Sequence, residues 1–190
     1  MHRIVIFASG SGTNAENIIS HFKGNPVAVV TQVLTNNPNA GVLERADRQG
    51  VPSRVFQRSE MDTPEFLGFL EREADFIVLA GFLLKVPESW ISAFPQAIVN
   101  IHPALLPKYG GKGMYGMHVH RAVVANREKE SGITIHYVNE NYDEGAIIFQ
   151  KAVPLFASDT PEDVAAKIHL LEQENFPLVI ERLLKQKNAS

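Results

Sequence analysis

Short apolar, β-branched runs alternate with amphipathic stretches through the first hundred residues, the texture of βαβ units whose parallel strands are covered on both faces. Ile4–Phe7 predicts a first strand, and Thr13 to Lys23 a helix, because Ala15, Ile18, Ile19 and Phe22 recur at three-to-four spacing. Val27 to Leu34 predicts a second strand and Ala40 to Gln49 a helix closed by Gly50. Pro64 to Ala74 is a further helix, placed before Phe76-Ile77-Val78-Leu79-Ala80, the most central strand by composition. A short helix over Glu88–Ala93 leads to the buried strand Ala97–Ile101. From Gly132 the spacing changes. Ile133–Val138 and Ala146–Val153 read as consecutive strands joined by the turn-forming stretch Asn139–Gly145. A long helix begins near Pro161, with Val164, Ile168, Leu171, Val179, Ile180 and Leu183 as its apolar stripe and a kink expected at Pro177. Together these elements predict an α/β fold over residues 1–190: a single domain, its mostly parallel twisted sheet carrying helices on both faces.

Composition narrows the chemistry. The 190 residues contain no cysteine, which excludes disulfides, thiolate catalysis, Cys-ligated zinc and iron–sulfur clusters. A net charge of -3 offers no global field for nucleic acid or an anionic membrane surface. The apolar N-terminal run ends at Ser9, too early for a signal peptide, and no run approaches the roughly 18 apolar residues of a membrane span. The expectation is a cytoplasmic protein, monomer or homodimer, acting on small molecules.

Three segments carry candidate chemistry. Ser9-Gly10-Ser11-Gly12-Thr13-Asn14 leaves the first strand and opens the first helix, where free N–H groups and the helix dipole favour an anion such as a phosphate. Gly10-x-Gly12-x-x-Ala15 also matches a dinucleotide fingerprint, but the second strand ends in Thr35-Asn36-Asn37-Pro38, with no carboxylate for a ribose. The blander alternative is a turn that only packs helix on sheet. A second glycine cluster, Gly110–Gly116, follows no strand and reads as a mobile loop near the site. Third, Asn100-Ile101-His102-Pro103 ends a buried strand, with Asn100 and His102 pointing to one side, where they can grip an oxygen that becomes negative in a transition state. Asp143, in the turn between the last two strands, can face His102 and keep its imidazolium charged; alternatively it serves the turn alone, and His102 is structural. Glu128-Lys129-Glu130 reads as a solvated charge run, and Trp90 as packing between helix and sheet.

The combination of Gly10-Ser11-Gly12-Thr13-Asn14, Leu79-Ala80-Gly81-Phe82, Asn100-Ile101-His102-Pro103 with Leu105-Leu106-Pro107-Lys108-Tyr109, and Asp143-Glu144-Gly145 resembles the folate-dependent formyltransferase family across essentially the whole chain. The resemblance implies a Rossmann-like formyltransferase fold, its N-terminal half binding a ribonucleotide phosphate and its C-terminal half a folate. It implies transfer of the formyl group of 10-formyltetrahydrofolate, a cosubstrate, to the amine of glycinamide ribonucleotide in purine synthesis, without a metal. Asn100, His102 and Asp143 would be catalytic; Gly12, Thr13, Asn14, Gly81 and Glu172 would bind substrate. Phe82, Leu83, Leu84, Lys85, Val86, Val138, Asn139 and Asn141 would bind the folate. The alternatives are another amine acceptor or an NADP-binding oxidoreductase. Three departures from the family pattern stand out: the long connection Gly110–Met117 leading to His118-Val119-His120, Leu84-Lys85 where an arginine and an aliphatic residue are expected, and Pro64 where an arginine can meet the folate tail.

Overall fold

A computed structural model describes residues 1–187; residues 188–190 of the predicted domain span lie outside the described residues. Strands β1 (His2–Phe7), β2 (Ala28–Thr35), β3 (Ser53–Val55), β4 (Phe76–Leu79) and β5 (Ile98–His102) run parallel, and β6 (Glu130–Tyr137) and β7 (Ile147–Pro154) complete the sheet antiparallel. The order is β3-β2-β1-β4-β5-β6-β7. All four residues of β4 are buried, as expected of a strand covered on both faces. Helices α1 (Thr13–Phe22), α2 (Val42–Gln49), α3 (Pro64–Glu73), α4 (Glu88–Ala93), α5 (Met117–Ala125) and α6 (Pro161–Lys187) surround the sheet. The chain order reverses between neighbours β1 and β4, so a crevice opens beyond their carboxyl ends, where open α/β sheets bind ligands.

Local signals account for most boundaries. Thr63 caps α3, its hydroxyl accepting the Phe66 N–H at 3.3 Å, with Pro64 at the first helical position. Gly50 closes α2 at φ 71 by donating to the carbonyls of Ala46 and Asp47. That helix starts at Val42, not Ala40, because Asn37 first forms a turn, its Oδ1 accepting the Asn39 N–H at 3.0 Å. Three elements are additional to the sequence reading, one of them a single 3-10 turn over Arg58–Glu60. β3 has only three residues and follows from pairing with β2, and α5 carries the His118-Val119-His120 segment. Trp90 packs as expected, stacked on Phe66 of α3 and 5.1 Å from Phe7 of β1, its indole N–H donating to the Met61 carbonyl at 3.0 Å.

Pro177 sits inside α6, which remains a helix from Pro161 to Lys187. Proline has no N–H for the carbonyl four residues back. The Asn17 amide of α1 fills that gap, donating to the Gln173 carbonyl at 2.8 Å. His21 and Glu181, 2.6 Å apart, extend the same seam. At the other edge the loop between β6 and β7 packs so closely on β6 that a Cβ on Gly145 would lie 1.6 Å from the Tyr137 carbonyl oxygen.

Candidate active site

The carboxyl ends of β1, β4 and β5 open into a cavity of about 870 Å³. All sixteen residues singled out as candidate site residues line it: Gly12, Thr13, Asn14, Gly81, Phe82 through Val86, Asn100, His102, Val138, Asn139, Asn141, Asp143 and Glu172. Lys85 is among them, whereas Pro64 is committed to the start of α3.

The trio converges as period-two geometry suggests. His102 Nδ1 lies 3.5 Å from Asp143 Oδ2, while its Nε2–H donates to the Tyr109 carbonyl at 2.7 Å. Tyr109 is held there by its hydroxyl, which donates to Glu128 at 2.8 Å and accepts from Asn126 at 2.9 Å, so Glu128 is a brace and not merely a solvated charge. Tyr109 and Asp143 both occupy the left-handed backbone region, at φ 57 and φ 56, an uncommon conformation that tends to occur at functional sites. Asp143 accepts the Gly111 N–H at 3.0 Å, which ties the glycine-rich loop to the trio.

Burial is the largest influence on His102 and pushes its pKa below the ordinary value; neighbouring His136 acts the same way, and Asp143 and the Tyr109 carbonyl only partly oppose them. His102 is therefore neutral near pH 7 in this cavity, and the expectation that Asp143 keeps it charged is corrected: desolvation outweighs the carboxylate. Asp143 itself stays ionised. Burial raises its pKa, but the imidazole of His136, the nearby His102 and the Gly111 amide outweigh that and hold it below the usual carboxylate value.

His136 is the functional candidate that the sequence reading left inside a strand. The Tyr137 carbonyl accepts from its Nδ1 at 2.9 Å, and its Nε2 lies 3.1 Å from Asn100 Nδ2 and 3.6 Å from Asp143 Oδ1. His136 thus touches both Asn100 and Asp143. The available signal was cross-strand register: His136 pairs directly with Asn100 across β5 and β6. His120, expected as a supporting residue or as surface packing, is buried, lines the cavity and has an Nδ1 without a partner among the described residues; His118 is exposed and packs on Tyr115.

At the other end of the cavity, both polar atoms of the Asn14 amide are engaged: Nδ2 donates to Glu172 and Oδ1 accepts from Gln173, each at 3.0 Å. Ser9 joins the two ends, its hydroxyl accepting the Leu83 N–H at 3.1 Å and donating to Asn36 at 2.7 Å. Glu172 is pushed up to about 7 by burial, against the lowering effect of the Asn14 amide. The folded carboxyl thus keeps a proton that the unfolded chain releases from about pH 4.5 upward, so stability falls as pH rises through that window toward 7. Between pH 5 and 8 the wild type is expected to lose up to about 3 kcal/mol relative to Glu172→Gln. Denaturant titrations at both pH values check this, and parallel pH profiles would refute it.

Residues 2–180 match the formyl transferase family model. The chain is 39% identical over 193 residues to the chloroplastic phosphoribosylglycinamide formyltransferase of Vigna unguiculata, covering 97% of this chain but only 62% of that protein. It is 34% identical to the phosphoribosylglycinamide formyltransferase of Escherichia coli, with 98% of this chain and 92% of that one covered. The crystal structure of the phosphoribosylglycinamide formyltransferase from Bacillus halodurans superposes with a TM-score of 0.85 at 36% identity, over 96% of this chain and 95% of that one.

Proposed function

The chain belongs to the formyl transferase family, and we propose that it transfers the formyl group of 10-formyltetrahydrofolate to the amine of glycinamide ribonucleotide, giving formylglycinamide ribonucleotide and tetrahydrofolate in purine synthesis. One observation carries the reading: a single cavity joins the Gly10–Asn14 turn at the start of α1 to Asn100, His102 and Asp143. The phosphate meets the N–H groups of Gly12, Thr13 and Asn14, where the helix dipole favours an anion. Gly81 and Glu172 border the ribonucleotide. The folate lies along Phe82–Val86 and the loop carrying Val138, Asn139 and Asn141. Apolar Leu83 and Val86 suit a flat ring there, and main-chain groups suit its polar edge.

The amine attacks the formyl carbon, and the carbonyl oxygen gains negative charge as a tetrahedral intermediate forms. Asn100 Nδ2–H, fixed by His136, donates to that oxygen. His102 Nε2–H does so by exchanging the Tyr109 carbonyl for it. Each such donor is worth on the order of 3 kcal/mol in the transition state. The attacking nitrogen becomes positive and passes its proton to ionised Asp143, directly or through water; a proton returns to the folate nitrogen as the carbon–nitrogen bond breaks. The reading extends to one formyltransferase domain in the cytoplasm, monomer or homodimer, with small molecules as its partners. No helix among the described residues is long and apolar enough to cross a membrane.

A spectrophotometric assay with 10-formyltetrahydrofolate and glycinamide ribonucleotide tests this. Turnover is expected only when both are present. A folded protein that leaves glycinamide ribonucleotide unformylated while using another amine, or that is stabilised against heat by NADP and not by the ribonucleotide, overturns it.

A further inference from the structure

The Ser11-Gly12 turn is shaped from behind by α2. The Gly10 carbonyl accepts the Val42 N–H at 3.2 Å, and the Ser11 carbonyl accepts Arg45 Nε at 2.8 Å. In a trans peptide the C=O and the following N–H point in opposite directions. Anchoring these two carbonyls on α2 therefore turns the N–H groups of Ser11 and Gly12 away from α2, and both residues line the cavity. Neither N–H has a hydrogen-bond partner among the described residues. The packing leaves little freedom: a Cβ on Gly12, whose φ is +78, would lie 2.5 Å from the Val42 side chain, and one on Gly41 would lie 3.2 Å from the Ser11 oxygen. Arg45 does not reach the cavity. Its guanidinium is held by an ion pair with Glu16 of α1, which Arg48 also approaches at 3.4 Å.

We propose that Arg45 is a positioning residue for substrate phosphate: by gripping the Ser11 carbonyl it orients the Gly12 amide, and so sets the preference for a phosphorylated over an unphosphorylated ribose. This rests on the reading of Gly10–Asn14 as the phosphate turn. It differs from a direct charge contact, because the arginine lies behind the peptide and its charge is already paired with Glu16.

The test compares wild type with Arg45→Met on glycinamide ribonucleotide and on the corresponding phosphate-free riboside. For the ribonucleotide, KM should rise about tenfold, with kcat and the folate KM changed less than twofold. For the riboside, kcat/KM should be unchanged. Equal losses on both substrates, or no loss on either, overturn the proposal. Glu16→Gln removes the ion pair and leaves the Ser11 contact, so it should raise KM less than twofold; a tenfold rise there also overturns it. Calorimetric titration with ribose 5-phosphate separates this inference from the proposed function. If neither protein transfers formyl groups, binding about tenfold weaker in Arg45→Met still supports the inference, and equal binding defeats it.

Discussion

His102→Ala and Asp143→Asn are each expected to lower kcat by about a hundred- to a thousandfold, with circular dichroism and substrate KM little changed. Both groups sit in the buried centre of the cavity, 3.5 Å apart, and in the proposed reaction both act on charge that exists only once the amine has attacked. Losing either removes transition-state stabilisation and spares ground-state contacts, which fall mainly to the turn at α1 and the Phe82–Val86 segment. Because the two handle one proton and one oxygen, the double variant should lose little more than the worse single variant; multiplied losses would show that they act independently. Asp143 has a lowered pKa, so its carboxylate persists below the usual range and its protonation does not set the acid limb of the rate at pH 5 to 6. That limb belongs to groups with higher pKa values. It should therefore remain in whatever residual activity Asp143→Asn retains, and its disappearance in that variant would contradict the assignment.

Gly145→Ala should cost about 3 kcal/mol or more in stability and abolish turnover. The added methyl would lie 1.6 Å from the Tyr137 carbonyl oxygen and 3.4 Å from His136 Nδ1, so relief requires β6 and the 139–145 loop to part. Overpacking against backbone has no flexible side chain to yield. That movement breaks the Tyr137–Ala146 backbone bond and pulls both His136 and Asp143 from their places. Denaturant unfolding beside the formyl-transfer assay checks it. A variant as stable and active as wild type would mean that the turn relaxes far more readily than its packing suggests.

How much of this was legible in the sequence follows from the range of the forces involved. The buried parallel strands announce themselves as continuous apolar runs, and Pro64 with Thr63 and Gly50 mark helix ends through local backbone chemistry. Asn100, His102 and Asp143 were legible because a strand's two-residue period and a turn between paired strands already bring them near one another. β3 was not, since three residues at a sheet edge are held by pairing with β2 and carry no periodic signal. His136 was missed because its importance depends on register against β5, which no local pattern specifies. The charge state of His102 was misjudged for a related reason: from sequence only its partner Asp143 was visible, and the burial that outweighs it belongs to the assembled fold. Arg45 carries no signal of its own in the sequence, because its contact with the Ser11 carbonyl exists only once α2 packs behind the turn.

The seam between α1 and α6 also bears on how the molecule comes into being. Asn14 meets Glu172 and Gln173, and Asn17 meets the carbonyl that Pro177 leaves free, across separations of 156 to 159 residues. During synthesis, strands β1 to β5 can pair long before these partners leave the ribosome. The Asn14 end of the cavity is then half built, its amide unmatched, until α6 has been translated. Pro177 reserves one carbonyl for the first helix, and a nascent chain that stops short of α6 lacks both that seam and the buried apolar face that α6 adds to the core.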